Sequence, residues 1–402
     1  MKVTLIAGAR PNFMKIAPLI HAIQKAEAEG KDIHYRLVHT GQHYDKNMSD
    51  TFFEELGIPA PDINLGCGGG TQAEQTANIM VAFEKDLMAH PCDIVLVVGD
   101  VTSTMACSIV AKKLNTRVAH VEAGIRSWDL SMPEEINRMV TDSLADYMFT
   151  TSDVADRNLK RQGATQICTG GQTPCVNSDE LPEDKYAFER YPQKVWRVGN
   201  VMIDTLLKNM PRFVKPAVYD ELGLEDGKYI MMTMHRPANV DEETHLRALM
   251  EQIITNVQGE PIIFPIHPRT AKIFYGLWGS ASDSVEENRK ALHQVFPNLH
   301  IVDPMGYLEF NYMVQHSRAV VTDSGGITEE TTFMGIPCIT LRDNTERPET
   351  CTVGTNELIG TNPAAVRPAL ELLYSGGWKK GAIPELWDGH AAERIVEILC
   401  DL

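Results

Sequence analysis

Residues 93–103 read Asp93-Ile94-Val95-Leu96-Val97-Val98-Gly99-Asp100-Val101-Thr102-Ser103, an apolar run that ends abruptly at a Gly-Asp pair. A strand that is apolar at successive positions is buried on both faces, which is typical of a parallel sheet covered by helices. Similar runs recur along the chain and alternate with segments of helical periodicity. They are residues 3–7, 35–39, 93–98, 117–121, 147–150, 195–198, 229–233, 261–266, 319–322 and 337–341. This alternation predicts an α/β fold with parallel sheets.

The length of 402 residues is enough for two or three domains that each bury a core. We place one boundary near Gly199, which gives two Rossmann-like, doubly wound domains, residues 1–198 and 199–388, facing a central cleft. Residues 389–402 have helical spacing and are expected to cross back onto the first domain. The polar stretch 165–194 is expected to be a surface excursion. Because ligands of such sheets lie at the carboxyl ends of strands, we expect the active site in the cleft.

The composition limits the classes of function. The 54 acidic and 37 basic side chains give a net charge of −17, which argues against binding to nucleic acids or anionic membranes. The eight cysteines contain no Cys-x-x-Cys pair, which favours reduced thiols over a zinc site or disulfides. The amino-terminal residues do not resemble a secretory signal, and no apolar run is long enough to span a membrane. We therefore expect a cytoplasmic protein.

Three acids stand at predicted strand or helix ends in the first domain. Asp100 and Glu122 follow neighbouring strands, and Glu134 follows Pro133 at the start of a helix. Because the carboxyl ends of parallel strands meet at one edge, these acids are expected to share one crevice and to serve as general acid and base. Asp100 alone would be explained as a helix cap, and Glu134 as a solvated first helical turn.

Basic groups stand at similar positions. Arg10 and Lys15 follow the first strand, where a helix amino terminus attracts phosphate, but one glycine there is too few for a dinucleotide-binding fingerprint. In the second domain, basic side chains near strand ends are expected to bind anions, although any one of them could be an ordinary solvated cation. They are His235, His267, Arg342 and Arg347. The thirteen histidines show no His-Glu-x-x-His spacing, so no metal site is predicted.

The triplet Ser324-Gly325-Gly326 follows another predicted strand. Small residues there let a diphosphate approach backbone N–H groups, and Glu330 could accept hydrogen bonds from both hydroxyls of a ribose. A glycine-containing turn followed by an acidic first helical turn is the alternative interpretation.

These motifs together resemble the UDP-N-acetylglucosamine 2-epimerase family over nearly the whole length. The stretches that carry the resemblance are residues 8–15, 40–43, 99–104, 120–126, 133–138, 323–330 and 342–349. The resemblance implies a glycosyltransferase-B-like fold, a homodimer, and a UDP-sugar as the small-molecule substrate. It implies inversion at C2 of UDP-N-acetylglucosamine to UDP-N-acetylmannosamine by elimination and readdition of UDP, with no cofactor.

The same resemblance assigns roles to individual residues. It makes Lys15, Asp100, Glu122, Glu134 and His235 catalytic. It assigns UDP binding to Arg10, His235, Ser324, Gly325, Gly326 and Glu330. It places Gln42, His43, Arg126, Arg138, His267, Arg342 and Arg347 around the substrate.

The sequence also departs from the family's common bacterial pattern. Asn12 replaces a frequent Glu, Ala238 stands where an acid is usual, and Asp45 and Gly70 differ from the residues of the family's activator site. Three alternatives stay open: a hydrolysing relative that releases N-acetylmannosamine and UDP, a 2-epimerase of a 2,3-diacetamido sugar nucleotide, and a non-catalytic nucleotide-sugar sensor. The crowded acids count against the sensor, because a protein that only binds a diphosphate gains nothing from carboxylates beside it.

Overall fold

The computed structural model describes residues 1–42, 53, 56–163, 166–169, 193–266, 268–278, 282 and 284–402. Side chains are described within these ranges except at residues 10, 166–169, 268–270 and 272–273. The chain divides into two compact units, which we call unit 1 (Met1–Lys208 with Glu385–Leu402) and unit 2 (Asn209–Pro384).

Unit 1 contains an eight-stranded sheet in the order β3-β2-β1-β4-β5-β6-β8-β7, and all of its strand pairs are parallel. The two central strands, β4 and β5, consist almost entirely of buried residues, as expected for a sheet covered on both faces. The strands are β1 (Lys2–Ala7), β2 (His34–His39), β3 (Ile63–Asn64), β4 (Ile94–Val98), β5 (Arg117–Val121), β6 (Tyr147–Thr150), β7 (Gln166–Thr169) and β8 (Lys194–Arg197).

Helices connect these strands. Over the described residues they are α1 (Arg10–Ala28), α2 (Gln72–Ala89), α3 (Thr102–Lys113), α4 (Pro133–Leu144), α5 (Asp153–Arg161) and α6 (Val201–Asn209), and the carboxy-terminal α16 (Ala391–Cys400) also belongs to unit 1.

Unit 2 repeats the plan with a six-stranded parallel sheet in the order β11-β10-β9-β12-β13-β14. Its strands are β9 (Ile230–Thr233), β10 (Ile262–Pro265), β11 (Leu299–Val302), β12 (Ala319–Thr322), β13 (Cys338–Thr340) and β14 (Asn356–Leu358). Its helices are α7 (Ala217–Glu221), α8 (Pro237–Val240), α9 (Glu243–Asn256), α10 (Pro268–Leu277), α11 (Val285–Val295), α12 (Tyr307–Gln315), α13 (Gly325–Met334), α14 (Pro348–Thr352) and α15 (Val366–Tyr374), with short 3-10 turns at Met210–Arg212 and Pro363–Ala365. The predicted fold class, two parallel α/β sheets, is confirmed.

Specific contacts hold the chain ends of unit 1 together. The Thr205 hydroxyl of α6 donates to the Met14 carbonyl at 2.5 Å, so α6 belongs to unit 1 although the sequence placed the boundary before it. The Asp204 carboxylate accepts hydrogen bonds from the Ala391 and Ala392 N–H groups at 3.2 and 2.6 Å. Asp204 therefore caps the amino terminus of α16 from another helix.

Two absences hold for the described part of the chain. It contains no helix that is long and apolar enough to cross a membrane. It also contains no group of three or more His, Cys, Asp or Glu side chains placed to hold a metal ion. The cysteines described there are free thiols: Cys67, Cys92, Cys107, Cys338, Cys351 and Cys400.

Candidate active site

The turn after β4 brings several predicted site residues of unit 1 together. Gly99 has a positive φ of 65°, and its N–H donates to the Val121 carbonyl at the end of β5 at 3.0 Å. A Cβ atom on Gly99 would lie 2.8 Å from Lys15 Nζ and 3.6 Å from the Glu122 carboxylate. The positive φ and this close approach favour glycine, and Asp100 follows directly after the residue that contacts Lys15 and Glu122.

Lys15 and Glu122 form a buried ion pair. Their residues are 8% and 1% exposed, and the Lys15 ammonium contacts the Glu122 carboxylate directly. Glu122 also has a left-handed backbone with φ of 69°. This conformation costs a non-glycine residue about 1–2 kcal/mol, and such strain is common where a side chain must be aimed. Lys15, predicted to attract phosphate or to be catalytic, is thus the direct partner of a predicted catalytic acid.

Asp100 is held by Arg138, which was predicted to surround the substrate. Arg138 Nε donates to Asp100 Oδ2 at 3.0 Å, and Arg138 Nη1 donates to Glu135 Oε2 at 2.7 Å. The Arg138 side chain is only 3% exposed, whereas that of Asp100 is 23% exposed. The structure therefore places Arg138 behind Asp100, where it orients the carboxylate.

Glu135 is a residue that the sequence interpretation did not assign. It is fully buried and accepts hydrogen bonds from the backbone N–H groups of Ser127 and Trp128 at 3.0 and 3.1 Å. It thereby fixes the connection between β5 and α4 and anchors Arg138. Its neighbour Glu134 is half-buried and has no hydrogen bond or ion pair to the described residues, so only Glu134 of this pair remains open to a substrate.

Glu134 borders a cavity of about 410 Å³ at the edge of unit 1. Gln42, Thr102 and Asn137 also line it. The Asn137 amide donates to the Asp100 backbone carbonyl at 2.9 Å, and the Gln42 side-chain oxygen Oε1 accepts from the Ser103 hydroxyl at 2.8 Å. The cavity thus lies next to the Asp100 turn and presents amide groups suited to a polar, uncharged ligand.

Arg126 lies in a different place from the one predicted. It is 3% exposed, and its guanidinium donates to the Asp142 carboxylate at 2.6 Å and to the Ile125 carbonyl at 2.7 Å. Burial alone would raise the pKa of Asp142, but the charges and hydrogen bonds of His120 and Arg126 outweigh it and lower that pKa below its usual value. Arg126 thus belongs to a buried network behind the sheet edge.

The helix start after β1 is closed by Asn12. Its side-chain oxygen accepts hydrogen bonds from the Gly8 and Ala9 N–H groups, both at 3.0 Å, and its amide donates to the Val98 carbonyl at 3.2 Å. Asn12 therefore occupies the backbone donors of Gly8 and Ala9 just before α1, so these two are not available to a phosphate. The side chain of Arg10, and the predicted residues His43 and His267, lie outside the described residues.

In unit 2 the amino terminus of α13 forms the predicted small-residue turn. Ser324 is the residue before the helix, and its hydroxyl makes no capping hydrogen bond within the described residues. A Cβ atom on Gly325 would lie 3.4 Å from Arg342 Nη1, whereas one on Gly326 would have no described atom within 4 Å. The first N–H groups of a helix lack partners inside it, so this terminus with Arg342 beside it can bind an anion.

Arg342 and Arg347 are both buried and both paired with acids. Arg342 donates to the two carboxylate oxygens of Glu346 at 2.9 and 2.8 Å, and Arg347 forms an ion pair with Glu329. Their guanidinium groups are therefore fixed in place before any ligand binds, which is the arrangement expected of a preorganised anion site.

His235 is anchored by Asp323, which begins the stretch 323–330 and was assigned no role from the sequence. Asp323 is fully buried and accepts hydrogen bonds from the His235 and Arg236 N–H groups at 3.0 and 2.8 Å. His235 Nδ1 lies 3.0 Å from Asp323 Oδ1, while the His235 side chain is 63% exposed. The aspartate thus fixes the ring so that Nε2 faces outward.

Glu330 is buried on the first turns of α13. Burial raises the pKa of Glu330 to about 7, and the neighbouring charge of Glu329 adds to this effect. The Asn311 amide lies 3.5 Å from Glu330 Oε1. A buried carboxylate with few partners of its own has capacity to accept hydrogen bonds from a ligand.

A unit with acids gathered at its strand ends, together with a unit whose helix terminus is suited to an anion, is typical of enzymes that act on nucleotide-linked compounds. The family model for UDP-N-acetylglucosamine 2-epimerase matches residues 25–400. The chain belongs to this family, which confirms the resemblance found in its motifs.

Individual members of the family are similar to this chain over its full length. The chain is 37% identical over 407 residues to the UDP-N-acetylglucosamine 2-epimerase of Methanocaldococcus jannaschii, covering 99% of each chain. It is 38% identical over 406 residues to the UDP-2,3-diacetamido-2,3-dideoxy-D-glucuronate 2-epimerase of Pseudomonas aeruginosa, covering 100% of each. The crystal structure of the M. jannaschii enzyme in complex with UDP-GlcNAc and UDP matches with a TM-score of 0.79 over 100% of each chain.

Proposed function

We propose that this protein catalyses the reversible inversion at C2 of UDP-N-acetylglucosamine, giving UDP-N-acetylmannosamine. C2 has no neighbouring carbonyl, so its proton becomes acidic only while the C1–O bond to the diphosphate breaks. A base takes the C2 proton, the C–H electron pair forms the C1=C2 bond, and UDP leaves with the C1–O electron pair. A proton then adds to the other face of C2 and the UDP oxygen adds back to C1.

The observation that carries the proposal is the pair of fixed carboxylates beside the Gly99 turn. Asp100 and Glu122 follow neighbouring strands. Asp100 is oriented by Arg138, and Glu122 is paired with Lys15. Proton removal and return on two faces of one carbon need two placed groups, and Asp100 with Glu122 or Glu134 supplies them. Lys15 would stabilise the charge that develops as the C1–O bond breaks.

Unit 2 supports the same proposal through its nucleotide-binding groups. The α13 terminus and Arg342 meet the diphosphate, His235 adds a hydrogen-bond donor, and Glu330 accepts from the ribose. These groups would keep the cleaved UDP bound for readdition, which favours epimerisation over hydrolysis.

A second candidate substrate is a 2,3-diacetamido uronate linked to UDP. The 38% identity to the P. aeruginosa 2-epimerase favours it, since that protein's name states this substrate. The mechanism would be the same, and only the groups on the sugar ring would differ.

Proton spectra in deuterated water test the proposal. With UDP-N-acetylglucosamine, we expect solvent deuterium at C2 and the same mixture of two UDP-sugars from either epimer. Asp100→Asn should slow the exchange roughly 100-fold while UDP affinity stays within about threefold. The control Asp153→Asn, an exposed acid of unit 1, should stay within about twofold of the wild type.

Other outcomes decide between the alternatives. Accumulation of free N-acetylmannosamine and UDP would show a hydrolysing enzyme. Turnover of the diacetamido substrate alone would leave the mechanism standing and replace the substrate. UDP binding without any C2 exchange in either sugar nucleotide would contradict the proposal and favour a sensor.

The homodimer and the cytoplasmic location stay proposals. Unit 1 exposes several large apolar side chains on α2, on α4 and on the segment before α4, which supports association with a second copy. They are Val81, Met88, Trp128, Leu130, Ile136 and Met139.

A further inference from the structure

His120 is a buried histidine of the β5 motif to which the mechanism above gives no role. It is fully buried, its Nδ1 lies 2.7 Å from Asp142 Oδ1, and its Nε2 lies 2.8 Å from the Gly99 carbonyl oxygen. A carbonyl oxygen can only accept a hydrogen bond, so Nε2 must carry a proton. The position of the second proton depends on Asp142.

Asp142 is ionised in this arrangement. Its Oδ2 accepts from the Gly124 N–H at 3.1 Å and from the Arg126 guanidinium at 2.6 Å, two donors that favour the charged carboxylate. An ionised carboxylate only accepts hydrogen bonds, so Nδ1 of His120 must also donate. Both ring nitrogens then carry protons.

The surrounding charges balance when His120 is a cation. Four carboxylates and three other cations face one another around the Gly99 turn: Asp100, Glu122, Glu135 and Asp142 with Lys15, Arg126 and Arg138. A protonated His120 makes the fourth cation. Buried charges are tolerated when each is paired in this way.

We propose that His120 is a positioning residue that donates from both ring nitrogens, tying Asp142 to the Gly99 carbonyl and so fixing the turn that carries Asp100. The Gly99 N–H is already held by Val121, so the His120 contact fixes the second polar group of the same residue. An error of about 1 Å in the position of a reacting group can slow a reaction by about 100-fold. This role rests on the proposed function.

Two amide variants separate the contacts of His120. An asparagine amide reaches about as far as Nδ1 and can replace the contact to Asp142, whereas a glutamine amide reaches about as far as Nε2 and can replace the contact to Gly99. We expect His120→Asn to slow C2 deuterium exchange roughly 100-fold and His120→Gln to stay within about tenfold of the wild type. Both variants lose the cation and each keeps one of the two contacts, so their difference compares the Gly99 contact with the Asp142 contact.

Two further measurements separate positioning from a purely structural role. UDP binding depends on groups of unit 2, so the UDP affinity of both variants should stay within about threefold of the wild type if they fold. In the wild type, nitrogen-15 spectra of the histidine rings should show His120 protonated on both nitrogens at neutral pH.

Specific results would overturn the proposal. Equal loss of exchange in the two folded variants, or faster exchange in His120→Asn than in His120→Gln, would show that the Gly99 contact does not position the turn. A His120 ring with one protonated nitrogen would contradict the double donation. Absence of exchange in the wild type would instead refute the proposed function, and the nitrogen spectra would still test the double donation.

Discussion

Binding of the nucleotide should depend on pH through Glu330. This carboxyl group is 5% exposed, and burial raises its pKa to about 7. To accept hydrogen bonds from both ribose hydroxyls it must be ionised, so a proton has to leave when the nucleotide binds below that pKa. Affinity should therefore rise with pH and level off above the pKa of the free protein.

The size of the effect follows from the pKa. With a pKa of about 7, roughly one protein molecule in ten has Glu330 ionised at about pH 6, and about nine in ten at about pH 8. If the ribose contacts return the pKa of Glu330 in the complex towards its ordinary value, the affinity at pH 6 should be about tenfold weaker than at pH 8, or about 1.4 kcal/mol. At pH 7 about half a proton should be released for each nucleotide bound.

Titration calorimetry with UDP-N-acetylglucosamine measures both quantities. Both of its phosphates are esterified, so the ligand itself has no group that titrates near neutrality, unlike UDP. The binding heat in two buffers with different ionisation enthalpies gives the number of protons released. Glu330→Gln serves as the control, because it should bind more weakly at every pH and release no proton. Affinity that is independent of pH in the wild type, or that increases as pH falls, would refute this account of Glu330.

Two further predictions concern the nucleotide site and the fold. Gly326→Ala should raise the free energy of unfolding by up to about 1 kcal/mol, since alanine favours a helix, yet weaken UDP binding about tenfold by blocking the diphosphate. Gly276→Ala in α10, also without described atoms near the added carbon, should leave UDP binding unchanged, and equal UDP affinity in both variants would exclude α13 as the phosphate site. Asp204→Ala should lower the melting temperature, because α16 loses its cap. Burial raises the pKa of Asp204 to about 6, so protonation of Asp204 stabilises the folded state. The melting temperatures of Asp204→Ala and the wild type should therefore differ more at about pH 5 than at about pH 8. A larger difference at about pH 8 would contradict this account.

The positions of the acids could be predicted because sheet geometry alone determines them. Asp100 and Glu122 follow β4 and β5, and parallel strands end at one edge of the sheet whatever the side chains do.

The strands that were missed are short or lack a long apolar run. This group consists of residues 63–64, 166–169, 299–302 and 356–358, and all four are edge strands of their sheets. Their pairing comes from a neighbouring strand more than from their own pattern.

The orientation of the arginines could not be predicted in the same way. Arg126, Arg138, Arg342 and Arg347 were all placed around a substrate. Each is buried against a carboxylate of its own unit, although Arg342 also lies beside the amino terminus of α13, where an anion can bind. A cation near a strand end can point to a ligand or back into the protein, and the choice depends on which acid the fold brings behind it. Asp142, for example, lies sixteen residues from Arg126 and at the far end of α4 from the predicted acid Glu134. Nothing in the local sequence marks it as the partner.

The two units contain the same pair of groups, a buried aspartate and a histidine, but the exposure of the histidine differs, and we propose different roles on that ground. In unit 1, Asp142 holds His120, whose second nitrogen is used by the Gly99 carbonyl, so no part of the ring is left for a substrate. In unit 2, Asp323 holds His235 through Nδ1, but this side chain is 63% exposed and its Nε2 faces outward. A buried aspartate orients a histidine equally well in both places. The role proposed for each histidine, positioning a backbone turn or contacting a ligand, depends on what lies beside its Nε2 atom. That neighbour is set by the folded sheet edge and cannot be read from the sequence around either histidine.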